Sequence, residues 1–96
     1  DCVAELYSPH SGIALRISSD APAVQLYEGQ HLDTHYPGLG RGVCLEPQDY
    51  PDAPNHANFP STILRPGEVY RRRISYRFVN AGPDQPWDAV CAALDA

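Results

Sequence analysis

CLEPQDYPDAPNHANFPSTILRPGE, residues Cys44 to Glu68, is the stretch on which the reading of this chain turns. With Val43 it opens as a short apolar strand, Val43 to Leu45, and places the carboxylate of Glu46 at the strand's end. Between Asp49 and Ser61 stand Pro51, Pro54 and Pro60. Proline removes a backbone donor and fixes φ, so this segment is neither a central strand nor a continuous helix. Arg65-Pro66-Gly67-Glu68 then has proline and glycine in the two middle positions of a type II turn, and returns the chain to another strand. A connection this long is uncommon in a compact domain unless it has a function. Tyr50 and Phe59 are expected to pin it to the core. An acid at the end of a buried strand, beside a loop too stiff to collapse, is a candidate for chemistry.

Upstream, the pattern is of strands and turns. Residues 2 to 8 form a weakly patterned strand, and Ser8-Pro9-His10-Ser11-Gly12 is a turn. From Gly12 to Ser18 the alternation is regular, with Ile13, Leu15 and Ile17 on one face and Ala14, Arg16 and Ser18 on the other. Ala23 to Glu28 is the next strand, with Val24 and Leu26 on one face and Ala23, Gln25 and Tyr27 on the other. Gly29 to Gly42 is a glycine-rich loop. It contains His31 and His35, whose spacing suits a metal only on a helix. Gly29 and Pro37-Gly38 argue against a helix there, so a solvated loop is expected and no metal is assigned. Gly42 to Glu46 is expected to be the central strand.

Downstream, Glu68 to Val79 is the longest alternating run. Tyr70, Ile74, Tyr76 and Phe78 share a face with Arg72, which either snorkels to the rim or pairs with a carboxylate. Arg71, Arg73 and Arg77 lie on the other face, as charges that protect an edge-like strand. Trp87, Val90, Cys91 and Leu94 are spaced for one face of a short amphipathic helix, with Pro86 in its first turn and Trp87 packed on the sheet. The expected fold is all-β, an antiparallel β-sandwich with a short C-terminal helix. The division is residues 1–82 as sandwich and 83–96 as an appended helix.

The chain has 96 residues and a formal net charge of −5. It contains no lysine, and an acidic domain is a poor nucleic-acid binder, because phosphate neutralisation dominates that affinity. Cys2, Cys44 and Cys91 are an odd number without zinc-like spacing, so reduced thiols are the default, and a Cys2–Cys91 bridge stays open. No apolar run reaches membrane-spanning length, and a cytoplasmic location is expected.

Leu45-Glu46-Pro47-Gln48, Pro51-Asp52-Ala53-Pro54-Asn55, Asn58-Phe59-Pro60 and Leu64-Arg65-Pro66-Gly67-Glu68 follow one another in an order that resembles the C-terminal part of the aldose 1-epimerases (galactose mutarotases). Ala23 to Tyr27 and Leu32-Asp33 match the family's preceding strand. Ordered motifs of this kind are far more specific than one short pattern. The resemblance runs from about Val3 to Asn80 and stops before the helix. It implies a galactose-mutarotase-like sandwich of which this chain is the C-terminal portion, because family members are several times longer.

The resemblance also implies chemistry. Interconverting the α and β anomers of a free hexose such as glucose or galactose takes two proton transfers. A base removes the C1 hydroxyl proton while an acid protonates the ring oxygen, and the opened ring recloses on the other carbonyl face. No cofactor is needed. The carry-over places the base on Glu46 and sugar binding on Gln25. Taken alone, Glu46 is a surface acid or an ion-pair partner, and Gln25 a solvated strand residue. Leu45 and Pro47 flank Glu46 and should disfavour its charged form. Pro47 departs from the family's Thr or Ser, and any contact made there is lost. The family's acid histidine, with a second histidine, an arginine and an aspartate, belongs to earlier segments. None of His10, His31, His35 and His56 sits in those motifs, so the remainder of the polypeptide is the expected partner. Two alternatives stay open: a carbohydrate-binding module without turnover, and a hexose-6-phosphate 1-epimerase relative.

Overall fold

Turn chemistry and alternation build two separate antiparallel sheets. The computed structural model describes residues 1–96. Its strands are β1 (Cys2–Tyr7), β2 (Ile13–Ser19), β3 (Ala23–Tyr27), β4 (Cys44–Gln48) and β5 (Ile74–Asn80). Helices are α1 (Leu32–His35) and α2 (Trp87–Asp95), with a 3-10 turn at Ala53–Asn55. One sheet has the order β1-β2-β5, and the other pairs β3 with β4. The fold is all-β and antiparallel with one short C-terminal helix and no closed barrel, as expected of part of a sandwich. The chain forms two compact units, Asp1–Asp20 with Tyr70–Ala96, and Ala21–Val69.

In the first unit, the Ser8 to Gly12 turn makes β1 and β2 a hairpin, with the Gly12 amide donating to the Ser8 carbonyl at 2.8 Å. Gly12 has φ +80°, and a Cβ there would sit 2.7 Å from the carbonyl carbon of Gly82, so glycine is required twice over. Cross-strand rows run Tyr7, Ala14, Val79 and then Glu5, Arg16, Arg77. Helix α2 covers this face. Val90 and Leu94 close over Ala14, with Tyr7, Val79 and Ala81 around them. The Tyr7 hydroxyl donates to the Gly82 carbonyl at 2.7 Å and accepts from the Gln85 amide at 2.9 Å, tying the helix approach to β1.

Arginines hold the far end of α2. Arg16 reaches Glu5 and Asp95, each at 2.7 Å. Hydrogen bonds from those two carboxylates raise its pKa, Asp95 contributing most. Arg77 Nε donates to the Leu94 carbonyl at 3.0 Å. Two cations at a helix C-terminus meet unpaired carbonyls and the negative end of the dipole.

Several expectations are corrected here. Both faces of β2 carry buried side chains, Ala14 on one and Ile17 and Ser19 on the other, while Ile13 at the strand's start is 50% exposed. Alternation separates the two faces, and α2 covers that of Ala14. Arg77 is engaged with α2 instead of standing free as an edge charge. The run from Glu68 is not one long strand. β5 begins at Ile74, because Asp20 captures the chain before it: its carboxylate accepts from the Arg73 amide at 3.1 Å and pairs with Arg72 at 3.4 Å. Arg72 thus takes the carboxylate-pairing option. Trp87 is 51% exposed, so it does not pack on the sheet. Val90 and Leu94, one and two turns later, do the packing, and Pro86 is the N-cap.

In the second unit, β4 does not end at Glu46 but runs through Pro47 to Gln48. In a two-stranded sheet every strand is an edge, where a missing donor is tolerated. The expected central strand is therefore an edge strand. The Gly29 to Gly42 loop does hold a helical turn, α1, between its punctuating Gly and Pro residues. Gly67 has φ +87° and the Glu68 amide donates to the Arg65 carbonyl at 3.1 Å, so the type II turn stands as expected. The Glu68 carboxylate also accepts from the Arg65 amide at 2.8 Å.

Candidate active site

The β3–β4 register decides what meets what. Gln25 is the direct cross-strand partner of Glu46. Directly opposite residues in an antiparallel pair share a face, with Cβ atoms about 4.5–5.5 Å apart. The two residues singled out from the sequence, from separate strands and separated by the Gly29 to Gly42 loop, are thus brought side by side. Tyr27 opposite Cys44 and Ala23 opposite Gln48 complete this face. Val24, Leu26, Leu45 and Pro47 make up the reverse, which is wholly apolar. Leu45 and Pro47 therefore do not flank the Glu46 carboxylate with apolar surface, since period two sends them to the other side.

Glu46 and Gln25 are both exposed. The Glu46 carboxylate makes no hydrogen bond or ion pair within the chain, and the Gln25 amide reaches only the neighbouring Leu26 carbonyl, at 3.5 Å. A free carboxylate beside a free amide can take up a hydroxyl proton and orient the molecule that carries it.

The proline-rich loop beyond β4 is held by its own side chains. The rings of Tyr50 and Phe59 lie 4.9 Å apart and those of His56 and Phe59 4.7 Å apart. Tyr50 is 38% exposed, so these rings clasp each other instead of being buried in a core. His56 Nε2 stands 3.1 Å from Asp52 Oδ2, and Asn55 donates to the other oxygen of that carboxylate. Asp52 itself has φ +61°, a conformation short polar side chains tolerate best. The Asp52–His56 pair lay outside the sequence reading. An Asp four residues before a His across a Pro-Asn turn is the signal that could have found it.

His31 and His35 lie at the two ends of α1, and no group of three His, Cys, Asp or Glu side chains stands close enough to share a metal. Cys2, Cys44 and Cys91 are free thiols, and burial pushes that of Cys91 up. No helix is long and apolar enough to cross a membrane.

Comparison with known proteins identifies the family. The sequence family described as Aldose 1-epimerase matches residues 1–77. Galactose mutarotases of Rattus norvegicus and Homo sapiens are each 37% identical over 82 residues, covering 78% of this chain and 24% of theirs. Aldose 1-epimerase of Escherichia coli K12 is 34% identical over 85 residues, covering 79% of this chain and 24% of its own. This chain thus spans about a quarter of the length of these relatives, and α2 lies beyond the matched family region. No solved structure matches.

Proposed function

From its membership of the aldose 1-epimerase family, we propose that this chain carries the base and part of the sugar site of an enzyme that interconverts the α and β anomers of a free hexose. Glu46 removes the proton of the C1 hydroxyl, and Gln25 holds the sugar by hydrogen bonds. A positioned general base supplies about 10²–10⁴-fold. The acid that protonates the ring oxygen comes from polypeptide outside these 96 residues. No cofactor takes part, glucose and galactose are the candidate substrates, and the enzyme works in the cytoplasm.

The observation that carries this reading is the direct pairing of Gln25 with Glu46 across β3 and β4. A phosphorylated hexose would need a cationic pocket, and in the arginine-rich segment Arg72 is paired with Asp20 and Arg77 with the end of α2, which favours the free sugar. The test is polarimetry of the intact protein with freshly dissolved α-glucose and α-galactose, corrected for spontaneous mutarotation. Faster approach to the equilibrium rotation is expected. Sugar binding without any acceleration would replace this reading with that of a carbohydrate-binding module.

A further inference from the structure

β4 continues for two residues past Glu46, and period two returns Gln48 to the Glu46 face. Its cross-strand partner is Ala23, whose side chain ends at Cβ and offers Gln48 no polar partner. Gln48 is half-buried, and its side-chain amide makes no hydrogen bond within the chain. Its amide nitrogen and oxygen are open to solvent, so donor and acceptor are both available to a ligand in place of water. A sugar hydroxyl is both donor and acceptor and engages both.

Distance then says which hydroxyl. Two residues along a strand span about 7 Å, and the diagonal from Gln25 to Gln48 is about 7–8 Å. That is the scale of a pyranose ring with its hydroxyls. With the C1 hydroxyl at Glu46, the hydroxyls on the opposite side of the ring, on C3 and C4, fall toward Gln48. We propose that Gln48 is a further sugar-binding residue that reads a C3 or C4 hydroxyl and so contributes to the choice among hexoses. This rests on the assignment of the β3–β4 face as the sugar site.

The experiment measures KM and kcat by polarimetry, and Kd by ligand-observed NMR, for intact wild type, Gln48→Ala and Gln48→Glu. The panel is glucose, galactose, 3-deoxyglucose and 4-deoxyglucose. Gln48→Ala should raise KM and Kd for glucose about three- to tenfold, as for loss of one neutral hydrogen bond, with kcat within about twofold. One of the deoxy sugars should lose this sensitivity, and Gln48→Glu, which keeps an acceptor, should recover part of the affinity. Unchanged constants for all four sugars would overturn the proposal. So would an equal loss for all four with a lowered unfolding midpoint, which marks a structural role. The Kd panel does not depend on which group is the base, so failure of the Glu46 assignment shows separately, as turnover that survives Glu46→Gln.

Discussion

The two units use nearly equal lengths of chain in opposite ways. In the first, Ala14, Ile17, Val90 and Leu94 are buried, α2 lies over a three-stranded sheet, and both ends of the helix are tied down by side chains from the strands. In the second, Ala53 is the only buried apolar side chain, and a two-stranded sheet presents a free carboxylate and amides on one face. Packing is concentrated where no candidate site residue lies, and unsatisfied polar groups where the chemistry is assigned. An unpaired carboxylate keeps both oxygens and its full basicity for a ligand, whereas Glu5 and Asp95 are taken up by Arg16. The contrast predicts that substitutions in the first unit change stability and those on the β3–β4 face change sugar handling.

The most damaging substitution should be Leu94→Ala. It opens a cavity against Ala14 and Val90 and should cost about 2–5 kcal/mol. Trp87, the one tryptophan, sits on α2, so its fluorescence during urea unfolding reports on this unit. A midpoint unchanged from wild type would mean that α2 does not hold the first unit together. Next should come Gly12→Ala, which forces a Cβ against the Gly82 backbone at a positive φ. A loss of about 1–3 kcal/mol by the same measurement is expected.

A smaller effect is expected at Asp20. The Arg73 amide first, and the Arg72 charge after it, hold its carboxyl below the usual carboxylate range. A lowered folded-state pKa gives stability that is complete above the unfolded value, about 3.9, and is lost as pH falls through the folded value. Asp20→Asn should therefore flatten the acid side of the melting-temperature profile and lower the melting temperature slightly at neutral pH. Parallel profiles for the two proteins would show that the Asp20 contacts contribute nothing.

How much of this was legible in the sequence follows the same division. Local chemistry fixed the Arg65 to Glu68 turn, the proline-broken loop and the spacing of Val90 and Leu94, because each depends on backbone rules within a few residues. Gln25 and Glu46 are each singled out by motif, and only the β3–β4 register pairs them. What could not be read depended on neighbours distant in sequence. Ala14 is buried because α2 arrives from residues 87–95, and Ile13, more apolar, faces away from it. The strand expected from Glu68 fails until Ile74 because of Asp20, some fifty residues earlier. The strand expected to end at Glu46 runs on through Pro47, since proline's restriction is decisive in a central strand and weak at an edge.

The central claim is that Glu46 supplies basicity and not structure. Glu46→Gln keeps the shape and reach of the side chain and removes only its ability to take a proton. The decisive measurement is kcat by polarimetry on α-glucose and α-galactose for the intact protein with and without this substitution, alongside Kd and the Trp87 unfolding midpoint. The account predicts that kcat falls by at least about a hundredfold, with Kd within a few-fold of wild type and the midpoint unmoved. Near-normal kcat in Glu46→Gln would contradict it.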